Sequence, residues 1–125
     1  MRSGILISNN PLVGVRWISG TSAELLRNEP AVNVLIRARD YIHKGHILLT
    51  HPLHSSLKPN ETPYRTVMIS KKPNTGVDLE SLNYIETALQ AYHKFLKDSK
   101  PINWPWDILH DFQIIDYELI KNAIE

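Results

Sequence analysis

Two long segments with helical periodicity alternate with short apolar runs, and this alternation most constrains how the chain can fold. In residues 31–44, Leu35, Ala38, Tyr41 and Ile42 recur at three- and four-residue spacing, while Arg37, Arg39 and Asp40 fall mainly elsewhere. Pro30 precedes this segment, and Gly45 follows Lys44 as a left-handed stop. Residues 78–98 repeat the pattern with Leu82, Ile85, Leu89, Tyr92 and Leu96; Asp78 is placed to cap that helix, and Lys94, Lys97 and Lys100 complement its dipole. Ile5-Leu6-Ile7 reads as a buried strand, and residues 13–18, rich in β-branched and aromatic types, as a second. Residues 23–28 read as a short helix capped by Thr21 or Ser22, with Glu24 in its first turn. Residues 46–50 give a third strand. A fourth spans residues 64–71, where Tyr64, Thr66, Met68 and Ser70 alternate with Arg65, Val67, Ile69 and Lys71, and Val67 and Ile69 face the core. Residues 111–115 fit a fifth strand or a helical turn, and 117–124 a terminal helix capped by Asp116. The order predicts a single α/β domain over residues 1–125, with a four- to five-stranded parallel or mixed sheet and helices packed on it, a Rossmann-like three-layer sandwich being favoured.

The totals narrow the function classes. A net charge of +1 gives no electrostatic footprint for nucleic acid or an anionic membrane. The chain has no cysteine, which excludes disulfides, thiolate nucleophiles and thiolate-zinc sites. No segment approaches the roughly twenty apolar residues of a membrane span. The apolar run at the N-terminus is too short for a signal peptide. A soluble, cytoplasmic protein is the expectation.

Function is expected in residues 51–63, His-Pro-Leu-His-Ser-Ser-Leu-Lys-Pro-Asn-Glu-Thr-Pro, a polar connection between two strands stiffened by Pro52, Pro59 and Pro63. His51 and His54 are candidate acid–base residues. Ser55, Ser56 and Lys58 offer hydroxyls and an ammonium to an anion, although no glycine is present to wrap a phosphate as a Walker loop does. Thr50, Asn60, Glu61 and Tyr64 complete the candidate ligand-binding set at the loop. Asn9 and Asn10 end the first strand, where ligands bind in open α/β sheets, and otherwise read as a local turn. Serine, histidine and Glu61 supply the residue types of a catalytic triad without a nucleophile elbow around either serine. His43, His46, His51 and His54 cluster in sequence, but their spacing matches no helical zinc motif, and no metal site is assigned. No cofactor is indicated. Trp104 and Trp106 are read as covering an edge of the core, or as anchors for a partner.

Several stretches carry a family resemblance. Ile7-Ser8-Asn9-Asn10-Pro11-Leu12-Val13, Gly45-His46-Ile47-Leu48-Leu49-Thr50-His51-Pro52-Leu53, Ser56-Leu57-Lys58-Pro59-Asn60-Glu61-Thr62-Pro63-Tyr64 and Asp78-Leu79-Glu80-Ser81-Leu82 resemble the GrdX family. These are small proteins encoded beside the glycine, sarcosine and betaine reductase genes of anaerobic amino-acid-fermenting bacteria. The family has no assigned reaction, so the resemblance implies a metabolic setting and a cytoplasmic location rather than a mechanism. Three readings follow: an accessory protein binding a small anionic ligand or a partner through residues 51–64, a small enzyme using His51 and His54 there, or an assembly factor docking on the reductase components.

Overall fold

Ile5, Leu6 and Ile7 form the middle of strand β1 (Gly4–Ser8), the central strand of a three-stranded sheet, in a computed structural model that describes residues 3–53, 62–98 and 102–125. Strand β2 (Thr21–Leu25) lies parallel to β1 on one side, and β3 (Thr66–Ile69) lies antiparallel on the other. The two-residue alternation of the strands divides the core. Ile7, Val67 and Ile69 pack against helices α2 (Ala31–His43) and α3 (Leu79–Asp98). Leu6 and Met68 point the other way, onto α1 (Pro11–Val15) and α4 (Trp106–Ile124). All four residues of β3 are buried, as expected of a strand covered on both faces.

The general α/β class holds, but the four- to five-stranded, Rossmann-like sheet does not, because three of the expected elements fold otherwise. Residues 11–15 form α1 rather than a strand. The Asn10 side chain accepts a hydrogen bond from Leu12 N and Pro11 occupies the first turn, so the helix-start chemistry outweighs the β-branched composition. Residues 21–25, expected to start a helix, are β2. Gly20 at φ 84° turns the chain, and Thr21 donates from both N and Oγ1 to Ile18 O, which lays the strand beside β1 in the register Gly4 to Thr21 through Ser8 to Leu25. Residues 46–50 make one isolated bridge, Leu48 to Ile69, instead of a full strand. Side chains take the backbone groups a ladder would use there: Ile47 N donates to Ser70 Oγ, Leu48 N to Ser81 Oγ, and Met68 N to Thr50 Oγ1.

Residues 111–115 and 117–124 both belong to α4, whose N-cap position is Pro105, so Asp116 is mid-helix and not a cap. The two long helices match their sequence limits within about a residue. At the end of α2, His46 N donates to Tyr41 O and Gly45 N to Ile42 O, the paired bonds of a Schellman stop, with Gly45 at φ 107°. Asp78 caps α3, its Oδ2 accepting from Ser81 N at 3.0 Å and Ser81 Oγ at 2.6 Å. Among the described residues no helix is long and apolar enough to cross a membrane.

Candidate functional site

The carboxyl end of β1 gathers the buried polar residues. The 47–50 segment pairs antiparallel with β3, as β1 does, so β1 and this segment run in the same direction. Residues 51–53 and 62–64, the described ends of the 51–64 connection, therefore lie at the edge where Ser8-Asn9-Asn10 ends. At this edge the alternation of the strands produces two separate polar clusters, one on each face of the sheet.

On the α4 face, Ser8 and Thr66 stand opposite one another in the register, with their hydroxyl oxygens 2.7 Å apart. Asp116 Oδ2 accepts from Thr66 Oγ1 at 2.7 Å and from Asn10 Nδ2 at 2.9 Å. Asn10 Nδ2 gives its second hydrogen to Gln113 O, and Gln113 Nε2 donates to the Tyr64 hydroxyl. Asn10 N donates to Ser8 Oγ. A buried carboxyl group is costly unless it is hydrogen-bonded, and these donors satisfy Asp116 Oδ2. A cavity lined by Thr62, Tyr64, Arg65 and Asp116 together with the Phe112–Leu119 side of α4 measures about 10 Å³, room for roughly one water.

On the α2/α3 face, Arg65 continues the inward row of Val67 and Ile69. It is only 1% exposed, the largest of the fully buried side chains. Its Nε donates to the Tyr92 hydroxyl at 3.0 Å, and its Cζ lies 5.7 Å from the centre of the Tyr92 ring. Its Nη2 is buried and has no hydrogen-bond partner among the described residues. Both ion pairs found among the described residues, Arg37–Glu24 and Arg39–Glu86, lie elsewhere. Burial pushes the Tyr92 hydroxyl above the usual tyrosine value; the Arg65 guanidinium opposes that rise and the Asp116 carboxylate adds to it. Asn9 braces the backbone around Arg65: its Oδ1 accepts from Arg65 N, and its Nδ2 donates to Glu29 O and Pro63 O.

The structure thus brings Asn9, Asn10 and Tyr64 to one edge. Both hydrogens of each asparagine amide go to protein acceptors, which makes them struts of the site. Thr50 is buried, and its hydroxyl oxygen accepts from Met68 N. His51 is exposed and lies in an open cleft of about 220 Å³ with Tyr84, their ring centres 5.6 Å apart. Its Nδ1 accepts from Leu53 N at 3.0 Å, which occupies the nitrogen a general base would use and leaves the ring proton on Nε2. His54, Ser55, Ser56, Lys58, Asn60 and Glu61 lie outside the described residues. Among the described residues no three histidine or carboxylate side chains are grouped to hold a metal ion. His46 is buried with Nδ1 2.7 Å from Ser70 O, and His43 is exposed at the end of α2.

Sequence reasoning kept the two residues at the centre of these clusters out of the candidate binding set, reading Arg65 as a strand residue bordering the loop, able to close over a ligand or an ordinary strand position, and Asp116 as a helix cap. Arg65 was legible from its parity, since an alternation that turns Val67 and Ile69 inward turns Arg65 inward too. Asp116 was legible from helical spacing, because Gln113, Asp116, Tyr117, Ile120 and Ile124 fall on one stripe, and all five are buried. No curated protein and no solved structure shows significant similarity to the chain. The sequence profile of the GrdX-like proteins matches residues 5–125, nearly the whole chain and including both polar clusters, and the chain belongs to the GrdX-like protein family.

Proposed function

We propose that this GrdX-like chain is an accessory protein of glycine, sarcosine or betaine reductase metabolism that binds a small anionic ligand at the carboxyl edge of its sheet. The observation that carries the reading is Arg65, a guanidinium 1% exposed with Nη2 unpartnered among the described residues. Arginine stays protonated inside proteins. An isolated buried charge costs several kcal/mol, so an arginine in this position calls for an anion. Lys58, Ser55, Ser56, Asn60 and Glu61 are proposed as further contacts, Lys58 as a second cation and the others as orienting groups. Family membership supports the metabolic setting, and the cytoplasm is its natural compartment.

Thermal denaturation in the presence of acetate, chloride, phosphate and sulfate tests the reading. A ligand at about a hundred times its dissociation constant adds roughly 2.7 kcal/mol, a rise of several degrees in the melting temperature. The rise is expected in the natural chain and in Asn83→Ala, on the exposed side of α3, and is expected to be lost in Arg65→Gln. A natural chain indifferent to every anion, with Glu61→Gln gaining the response, would identify Glu61 as an internal counter-ion and sink the ligand reading.

A docking role on reductase components is favoured by one separate feature: Trp106 is 71% exposed at the start of α4, stacked on His110 with ring centres 6.4 Å apart. Large exposed aromatics are frequent anchors of interfaces. Trp106→Ala is expected to abolish co-purification with the reductase components while leaving the anion response intact.

A further inference from the structure

We infer that the outer edge of β2 is a self-association surface, on which a second copy of this chain adds its own β2 antiparallel about a two-fold axis at Ala23. The two three-stranded sheets, each in the order β2-β1-β3, then join into one continuous sheet. This goes beyond the anion-binding reading and does not rest on it.

Parallel pairing with β1 uses only alternate residues of β2. Gly4 N donates to Gly20 O and Leu26 N to Ser8 O, at the two ends of the register Gly4 to Thr21 through Ser8 to Leu25. Residues of that parity face β1, so Thr21, Ala23 and Leu25 turn their N–H and C=O groups outward. Thr21 N is taken up by Ile18 O, and among the described residues no strand stands on this side of β2. Ser22 and Ala23 are exposed. Native edges are commonly guarded by lysine, proline or a charge turned inward. Thr-Ser-Ala-Glu-Leu has neither lysine nor proline, and its one charge, Glu24, is engaged by Tyr41 at 2.9 Å and Arg37 at 3.5 Å. The edge is open to pairing. With Ala23 on the axis, the two Ala23 residues exchange both backbone bonds, and Leu25 N of each copy donates to Thr21 O of the other.

The side chains beside the edge select a second copy as the occupant. An open groove of about 370 Å³ runs between α1 and β2, with Val13, Val15, Trp17, Ala23, Leu25 and Arg27 in its lining, and every lining residue falls within 6–27. Val15 is 72% and Trp17 76% exposed. Trp17 precedes β2, whereas Leu25 ends it and Arg27 follows. Antiparallel pairing therefore carries Trp17 of each copy to the Leu25–Arg27 end of the other's groove. There the indole covers Leu25 and meets the Arg27 guanidinium, a favourable cation–π contact. Ala23, on the axis, is small enough to leave the way across open. The charges agree: Arg16 stands beside Trp17 at one end and Glu29 beyond Arg27 at the other, both exposed, so opposite charges approach at both ends of the pair. One patch thus carries both the knob and the hole, as a two-fold interface requires. An extended segment of another protein would take the backbone edge without using this reciprocity.

Sedimentation of the full chain over a concentration series, joined to NMR on a mixture of differently labelled copies, tests the inference. A concentration-dependent passage from 14.4 kDa to twice that mass is expected. An intermolecular contact between the Hα atoms of Ser22 and Glu24 is expected as well, since these residues form a close, non-hydrogen-bonded pair across the axis but lie apart along one strand. Ala23→Pro removes the central outward donor without touching the β1 ladder, and is expected to leave a monomer. Trp17→Ala is expected to raise the dissociation constant of the dimer about ten- to a hundredfold. Leu79→Ala, 75% exposed at the start of α3, is expected to leave it unchanged. Should Ala23→Pro fail to fold, Trp17→Ala and the Hα contact in the natural chain decide. A chain still monomeric at about 1 mM overturns the inference and leaves the edge to an extended segment of another protein. A dimer without the Ser22–Glu24 contact overturns it too, as does one that persists unweakened in folded Ala23→Pro or Trp17→Ala, or one lost in Leu79→Ala.

Discussion

Thr66 shows how much of this domain depends on single hydroxyls. Its Oγ1 donates to Asp116 Oδ2 at 2.7 Å and lies 2.7 Å from Ser8 Oγ, so one atom links β1, β3 and α4. Thr66→Val keeps the volume and deletes that link, removing a donor from a buried carboxylate. Hydrogen bonds to charged groups contribute about 1.5–3 kcal/mol, and the variant is expected to lose about that much. The urea midpoint should fall with the slope of the transition unchanged. At the same scale, the sequence revealed more than was read from it. The periods of two and 3.6 that located Val67 and Ile120 also located Arg65 and Asp116, since periodicity assigns a face regardless of charge. Composition alone argues against burying an arginine or an aspartate, and it misled because the partners that make burial tolerable, Tyr92 and Asn10, lie 27 and 106 positions away. Local sequence does not carry that information.

The elements that were legible are those with strong terminal chemistry and a long apolar stripe. Helix α2 ends where Gly45 adopts a positive φ of 107°, and a side chain there would run into the backbone carbonyl of Asn74. Asn74 N in turn donates to Gly45 O at 2.9 Å, so the stop of α2 is stitched to the turn after β3. Gly45→Ala therefore adds backbone strain to a collision that only main-chain movement relieves. It is expected to cost about 1–3 kcal/mol from strain, with the collision in addition. A chemical-denaturation curve checks it, with Gly76→Ala, where nothing lies near an added Cβ, as the neutral control. The α1–β2 stretch was misread because both elements are five residues long, too short for periodicity to separate them. Asn10-Pro11 held the decisive cue for α1. For β2 the cue is tertiary: Thr-Ser-Ala-Glu-Leu has no strong strand preference, and its conformation comes from pairing with β1.

For the molecule as a whole, the sequence conveyed the α/β class but overstated the sheet. The apolar run before the 51–64 connection lies beside β3 without completing a ladder, because Thr50, Ser70 and Ser81 hydroxyls satisfy its neighbourhood. The described ionisable groups also set how stability varies with pH. Asp78, held below its usual value by the hydrogen bonds from Ser81, contributes stability above about pH 4 that is lost as acid protonates it. At the alkaline end Tyr92 and Tyr41 act in the opposite sense. Burial raises Tyr92, and the hydrogen bond to Glu24 raises Tyr41, so each folded-state hydroxyl holds its proton past the point where the unfolded chain gives it up, at about pH 10. Between the unfolded and folded values the native state binds more protons. Their contribution is therefore complete below pH 10 and is lost as pH rises through the folded values. Urea midpoints measured from pH 8 to 11 are expected to fall above pH 10 in the natural chain. Tyr92→Phe is expected to start lower, because the Arg65 Nε loses its acceptor, and to fall less steeply. An identical slope in the variant would mean that Tyr92 ionises in the native state as readily as in the unfolded chain, contrary to its burial between Arg65 and the core.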